Sequence, residues 1–142
     1  MTASHSADTE GVEAASQSFY MALSVLDDGT RMEAVWVNAP YVTYVGPSST
    51  SIIVGWDAQK RYWKSFNTEF VARSVSIADA HSHVVGNLAW QIGLEVGRAR
   101  MKDGTTRDIE WIVTNVFEKI DGRWRMVSHH AQPGALTGLK TQ

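Results

Sequence analysis

Three long β-forming runs, Phe70 to Val85, Asn87 to Lys102 and Thr105 to Ile120, follow one another with only Gly86 and Asp103-Gly104 between them. Asp121-Gly122 then leads into a fourth, Arg123 to Gln132, which Pro133-Gly134 ends. Glycine and Asp-Gly at such positions supply the positive φ that tight hairpins need, so the runs read as consecutive antiparallel strands. The first three are each about as long as a strongly bent strand can be. Gly93 and Gly97, inside the second, mark a bulge or a sharp bend. Such a sheet must bury one face, and the covering element has to come from the first half of the chain.

That half offers one long helix. Val12, Ala15, Phe19, Ala22, Leu23 and Leu26 recur at helical spacing behind Thr9, which is placed to cap a helix carrying Glu10 and Glu13 in its first turns. Asp27-Asp28-Gly29 stops it, and a shorter helix, Thr30 to Val37, carries Met32, Val35 and Trp36 until Asn38-Ala39-Pro40 breaks the pattern. Tyr41 to Val45 and Ser51 to Val54 read as short strands around a Gly46-Pro47-Ser48-Ser49 turn. Gly55 opens a third helix, Trp56 to Asn67, whose Tyr62, Trp63 and Phe66 cover a sheet edge. The order ααββαββββ predicts an α+β fold in which a curved antiparallel sheet wraps around the N-terminal helix as a cone. Residues 1–8 read as a disordered polar tail, 9–135 as one domain and 136–142 as a C-terminal tail.

Composition narrows the partners. A net charge of -2, from 13 Lys and Arg against 15 Asp and Glu, gives no attraction to phosphate backbones or anionic membranes, so neither nucleic acid nor membrane is expected as a partner. The absence of cysteine excludes disulfides, thiol nucleophiles and thiolate metal sites, and fits a reducing, cytoplasmic setting. No apolar run approaches the roughly 18 to 20 residues that span a bilayer.

The strand order, the Asp-Gly hairpin and the closing segment Phe117-Glu118-Lys119-Ile120-Asp121-Gly122-Arg123-Trp124-Arg125-Met126-Val127-Ser128-His129-His130 resemble the NTF2-like superfamily, and within it the SnoaL-like proteins. The association (hub) domain of calcium/calmodulin-dependent protein kinase II is similar in the same segment and in His81-Ser82-His83-Val84-Val85-Gly86. The resemblance spans about residues 10 to 135 and implies the cone fold. On function it leaves isomerases, dehydratases, cyclases and assembly domains open. The ketosteroid isomerase branch places a catalytic aspartate near the end of the first strand, whereas Val42-Thr43-Tyr44-Val45 holds no carboxylate. Scytalone dehydratase and SnoaL pair an acid with a histidine, and no acid is evident on a strand beside His129 and His130.

His129 and His130, being adjacent, point to opposite sides of their strand, so at most one sees a pocket, as a general acid/base or as a core histidine satisfied by a neighbour. Asn115 shares a face with Trp111, Val113 and Phe117, an otherwise apolar row, and needs a partner from a ligand or a neighbour. Trp36, Trp63 and Trp111 lie on segments that line or close the cone, and the hydroxyls of Tyr20 and Tyr44 are placed to reach its interior. His81 and His83 share a face at a spacing some zinc sites use, but no third ligand is evident, so neither metal nor cofactor is expected. These residues predict a homodimer holding a small apolar or amphipathic molecule in an aromatic-lined pocket. The alternatives are an isomerase, dehydratase or cyclase using His129 or His130, and an oligomeric association module.

Overall fold

In a computed structural model, which describes residues 2–134 and side chains from residue 5 on, the chain forms three α-helices and six strands. Helix α1 spans Thr2–Leu23, α2 Thr30–Val35 and α3 Trp56–Phe66. Strand β1 is Thr43–Val45, β2 Ile53–Val54, β3 Phe70–Val85, β4 Leu88–Met101, β5 Thr106–Ile120 and β6 Arg123–Pro133. The expected order therefore holds, with a 3-10 turn, Asn67–Glu69, inserted ahead of β3.

The six strands form one curved sheet in the order β2-β1-β6-β5-β4-β3. The meander β3 to β6 is antiparallel throughout, and its hairpins turn at Gly86, Gly104 and Gly122, all with positive φ. The expectation of a wholly antiparallel sheet needs one correction. Strand β1 runs parallel to β6, pairing Tyr44 with His129; it belongs to the separate β1–β2 hairpin, so no tight turn constrains it to run antiparallel to β6. The sheet bends where expected: β3 bulges between Ala78 and His81, opposite Gly93, and Asp79 there takes φ 50°. At Gly97 a Cβ would stand 1.9 Å from the Ser74 carbonyl oxygen, so the two strands approach more closely than any other residue allows.

Helix α1 crosses the concave face and packs against β3 and β6. Val12, Ala15, Phe19, Ala22 and Leu23 are buried beneath it, as their spacing predicted. The helix starts at Thr2 rather than Thr9, and residues read as a tail continue it. Two contacts account for this. Thr9 donates its hydroxyl to the His5 carbonyl one turn back instead of capping, and Asp8 accepts from Lys119 Nζ at 2.8 Å. Helix α2 ends at Val35, and Trp36 already bridges to Met126 of β6. Residues 136–142, read as a C-terminal tail, lie outside the described residues.

Candidate functional site

Alternation along β4 sends Ala89, Gln91, Glu95, Ala99 and Met101 into the cone and Leu88, Trp90 and Ile92 out of it. The inward row is thus smaller and more polar than the outward one. On β5, Val113, Asn115 and Phe117 face inward. On β6 a bulge at Val127, between the Val116–Ser128 and Phe117–Met126 pairs, turns both Met126 and His129 inward. His129, Asn115 and Gln91 consequently lie in one row across three strands.

That row is a closed polar network. His129 Nδ1 meets Asn115 Oδ1 at 2.7 Å, and the amide nitrogen of Asn115 donates to the Tyr20 hydroxyl and to Gln91 Oε1, both at 3.2 Å. Gln91 Oε1 also accepts from the Ser16 hydroxyl at 2.7 Å. With the Asn115 amide nitrogen committed to two acceptors, its oxygen must accept, so His129 carries its proton on Nδ1 and turns the Nε2 lone pair toward Glu95. Neighbouring side chains, and not a cavity, satisfy Asn115, which is fully buried.

Two positions further along the same face of β4, past Gly93, stands Glu95, 6 % exposed, with Oε2 lacking a hydrogen-bond partner among the described residues. Burial raises its carboxyl from the ordinary range to about 7, opposed by the Tyr20 hydroxyl and by the positive charge of Arg73. His129 Nε2 approaches Glu95 Oε2 to 3.9 Å, a distance an ion pair would have. Burial pushes the imidazole down to about 3, with the adjacent His130 adding to the effect, so His129 is neutral at any ordinary pH. The contact therefore joins a neutral ring to a carboxyl, and it is too long for a hydrogen bond.

Glu95 forms part of the lining of a cavity of about 540 Å³ bounded by β1, α3 and β3 to β5. Tyr44, Tyr62, Phe66, Phe70 and Trp111 supply its aromatic wall, and Arg73 shares the lining with Glu95. The wall is a packed set of rings. Tyr44 and Tyr62 have centroids 5.1 Å apart, Tyr62 and Phe66 stack at 5.0 Å, and Tyr44 stacks on His129 at 5.1 Å. Burial raises both phenols, Tyr62 to about 12 and Tyr44 well above its ordinary value, so both remain protonated donors.

The candidate residues separate clearly. Tyr44 and Trp111 line the cavity, while Tyr20, Asn115 and His129 form the network beside it. Trp36 and Trp63 are fully buried core residues outside the lining; Trp63 Nε1 donates to Gln59 Oε1 at 2.9 Å. His130 is exposed on the opposite face of β6, which removes it from any site inside the cone. The acid missing from the strand beside the histidines stands two strands away on β4, and the sequence reading passed over both Glu95 and Arg73. Glu95 shares the inward face of β4 with Gln91, but the apolar row opposite hid that face in the sequence. Among the described residues no group of three or more His, Cys, Asp or Glu could hold a metal, and no helix is long and apolar enough to cross a membrane.

Comparison with solved structures returns the same architecture. A Streptomyces avermitilis protein assigned as a dehydratase of the NTF2-like family superposes with a TM-score of 0.82 at 22% identity, covering 92% of this chain and 99% of its own. A Novosphingobium aromaticivorans protein assigned as a scytalone dehydratase gives 0.83 at 15% identity, covering 95% and 89%. A Thiobacillus denitrificans protein assigned as a calcium/calmodulin-dependent protein kinase type II association domain gives 0.74 at 25% identity, covering 87% and 94%. Comparison with curated proteins finds no match. A family model described as the SnoaL-like domain matches residues 12–133. With that match across most of its length and the NTF2-like cone as its fold, the chain belongs to the SnoaL-like domain family.

Proposed function

We propose that the protein is an acid–base enzyme of the dehydratase or isomerase type, acting on a small carbonyl compound held in the aromatic cavity, with Glu95 carrying the proton. The observation behind this is a buried carboxyl in the cavity lining with one oxygen unpartnered among the described residues. A carboxyl titrating near 7 exists in both forms at neutral pH, as a group that must accept and return a proton requires.

In a dehydration, ionised Glu95 takes the proton from the carbon beside the carbonyl. The electron pair left behind becomes the new C=C bond as the C–O bond on the next carbon breaks. Glu95 returns its proton to the departing hydroxyl, which leaves as water. In an isomerisation the same proton is returned to a different carbon. The Tyr62 hydroxyl, protonated throughout and accepting from Tyr44, is the donor in the wall for a developing oxyanion. His129 is a positioning residue here, stacked on Tyr44 and fixed by Asn115.

The test is turnover of β-hydroxy ketones and β,γ-unsaturated ketones, followed by enone absorbance. Glu95→Gln keeps the shape and removes the base, so activity should fall by about 10² to 10⁴. Undiminished turnover in that variant would eliminate Glu95 as the proton carrier.

A homodimer belongs to the same proposal. Trp90, Ile92 and Ile112 on the outer sheet face are 40%, 45% and 40% exposed, and half-buried Val116 and Leu94, paired with Trp90 and Ile112 respectively, continue the patch. A second copy would cover this apolar face, in keeping with the similarity to proteins assigned as association domains. Sedimentation or light scattering measures it, and a monomer at all concentrations would exclude it.

A further inference from the structure

Arg73 is 6 % exposed, a rare position for a guanidinium, and its bonds are incomplete. Nε donates to the Leu23 carbonyl at 2.6 Å and Nη2 to Asn67 Oδ1 at 2.7 Å, both neutral acceptors. Nη1 is buried and without a partner among the described residues. No described carboxylate lies within ion-pair distance of any of its nitrogens. Its central carbon sits 4.6 Å from the centroid of Phe70 and 5.2 Å from that of Phe66, and the two centroids are 4.9 Å apart, so both rings lie to one side of the guanidinium. Nη1 is left for a further partner, and Arg73 lies in the lining of the cavity together with Glu95.

A buried cation bonded only to neutral groups carries an uncompensated desolvation cost, which an anion placed at its free edge relieves. Glu95 supplies that charge only in part, being protonated for much of the time near neutral pH. With Glu95 protonated, Arg73 is the one buried charge of the lining, whose other charged residues, Glu69, Arg107 and Asp108, are exposed. We propose that Arg73 is an anion anchor and that the molecule held in this cavity is a carboxylic acid with an apolar, ring-sized body, its carboxylate on Arg73 Nη1 and its body against Tyr62, Phe66 and Trp111. A carboxylate suits the site because it is planar and monovalent, matching one guanidinium edge in a cavity with no second buried cation. This rests on the cavity being a ligand site, as proposed above, but not on Glu95 transferring a proton.

The experiment is isothermal titration of the intact protein with benzoate, phenylacetate and 2-naphthoate, each against its primary amide, which has the same shape without the charge. At least one acid should bind, and its amide should bind tenfold or more weakly. Binding of the acid should strengthen as pH falls through about 7 and Glu95 loses its charge. The other groups facing Glu95, namely Tyr20 from α1, Tyr44 from β1 and neutral His129 from β6, do not change charge in that range. Glu95→Gln should remove the pH dependence and keep the preference for acid over amide, which separates failure of the proton-transfer proposal from failure of the anchor. Arg73→Gln should abolish the preference. Should that variant not fold, because Leu23 and Asn67 lose their donor, the acid and amide comparison on the unaltered protein still decides. Amides binding as tightly as acids, or no acid binding at about 10 mM, would overturn the assignment.

Discussion

His129 Nε2 stands 3.9 Å from Glu95 Oε2, and burial opposes the charge on each. The two groups therefore act oppositely on stability. Glu95 has a folded pKa raised to about 7 from 4.5, so between those values the native state holds a proton that the unfolded chain has released. Its contribution is fully present below about 4.5 and is lost as pH rises through about 7. His129 has a folded pKa lowered to about 3 from 6.5, so the unfolded chain holds the extra proton. Its contribution is present above 6.5 and is lost as pH falls.

Between about pH 4.5 and 6.5 the two slopes, each about 1.4 kcal/mol per pH unit, have opposite sign and should nearly cancel. Unfolding by urea across this range should give an almost flat contribution from the pair. In Glu95→Gln the His129 slope should emerge, stability rising by about 1 kcal/mol per unit with pH. A flat profile in both proteins would mean that burial does not shift these groups in opposite directions.

Tyr20 tunes Glu95. Its hydroxyl favours the ionised carboxyl and accepts from Asn115. Tyr20→Phe should move the acidic limb of the pH–rate profile, where Glu95 must be ionised, to higher pH. The same change should cost about 1 to 2 kcal/mol of stability, since Asn115 keeps Gln91 as an acceptor. An unmoved limb with reduced stability would leave Tyr20 a purely structural role.

At Gly97 the backbone of β3 occupies the space a Cβ on β4 would need. Gly97→Ala would force a methyl against the Ser74 carbonyl and the Val75 backbone, neither of which can yield as a side-chain tip does. Thermal unfolding should show a loss of about 3 kcal/mol or a failure to fold. Gly104→Ala makes a useful contrast, because nothing lies within 4 Å of its added carbon and only its φ of 91° is unfavourable. It should lose about 1 to 2 kcal/mol.

Ile92→Glu, at the centre of the exposed apolar face, should give a monomer by light scattering. Monomer stability should stay within about 0.5 kcal/mol, because a residue 45% exposed contributes little to its own fold. Loss of the fold instead would indicate that this face serves the monomer.

The site was only partly legible in the sequence, and β4 explains why. Its outward residues Leu88, Trp90, Ile92, Leu94 and Val96 are more apolar than its inward Ala89, Gln91, Gly93, Glu95 and Gly97. Hydrophobic alternation ordinarily assigns the apolar row to the core, which hides Glu95 among apparent surface residues. On β6 the bulge at Val127 breaks simple alternation, so parity counted from Met126 would send His129 outward. Arg73, three residues into a strand, looks like any solvated cation until its neighbours are known.

The sequence alone determined the element order, the hairpin positions and the helix that fills the cone, because periodicity, Asp-Gly turns and strand length are local properties. Only the tertiary structure decided which face of β4 lies inside, that β1 adds in parallel beside His129, and that Glu95 from β4, His129 from β6 and Tyr20 from α1 converge. Those outcomes depend on bulges and on contacts between residues far apart in the chain, such as Tyr20 and Asn115, 95 positions apart. A carboxyl acquires a pKa near 7 only from the groups that exclude water around it, and those are assembled when the chain closes.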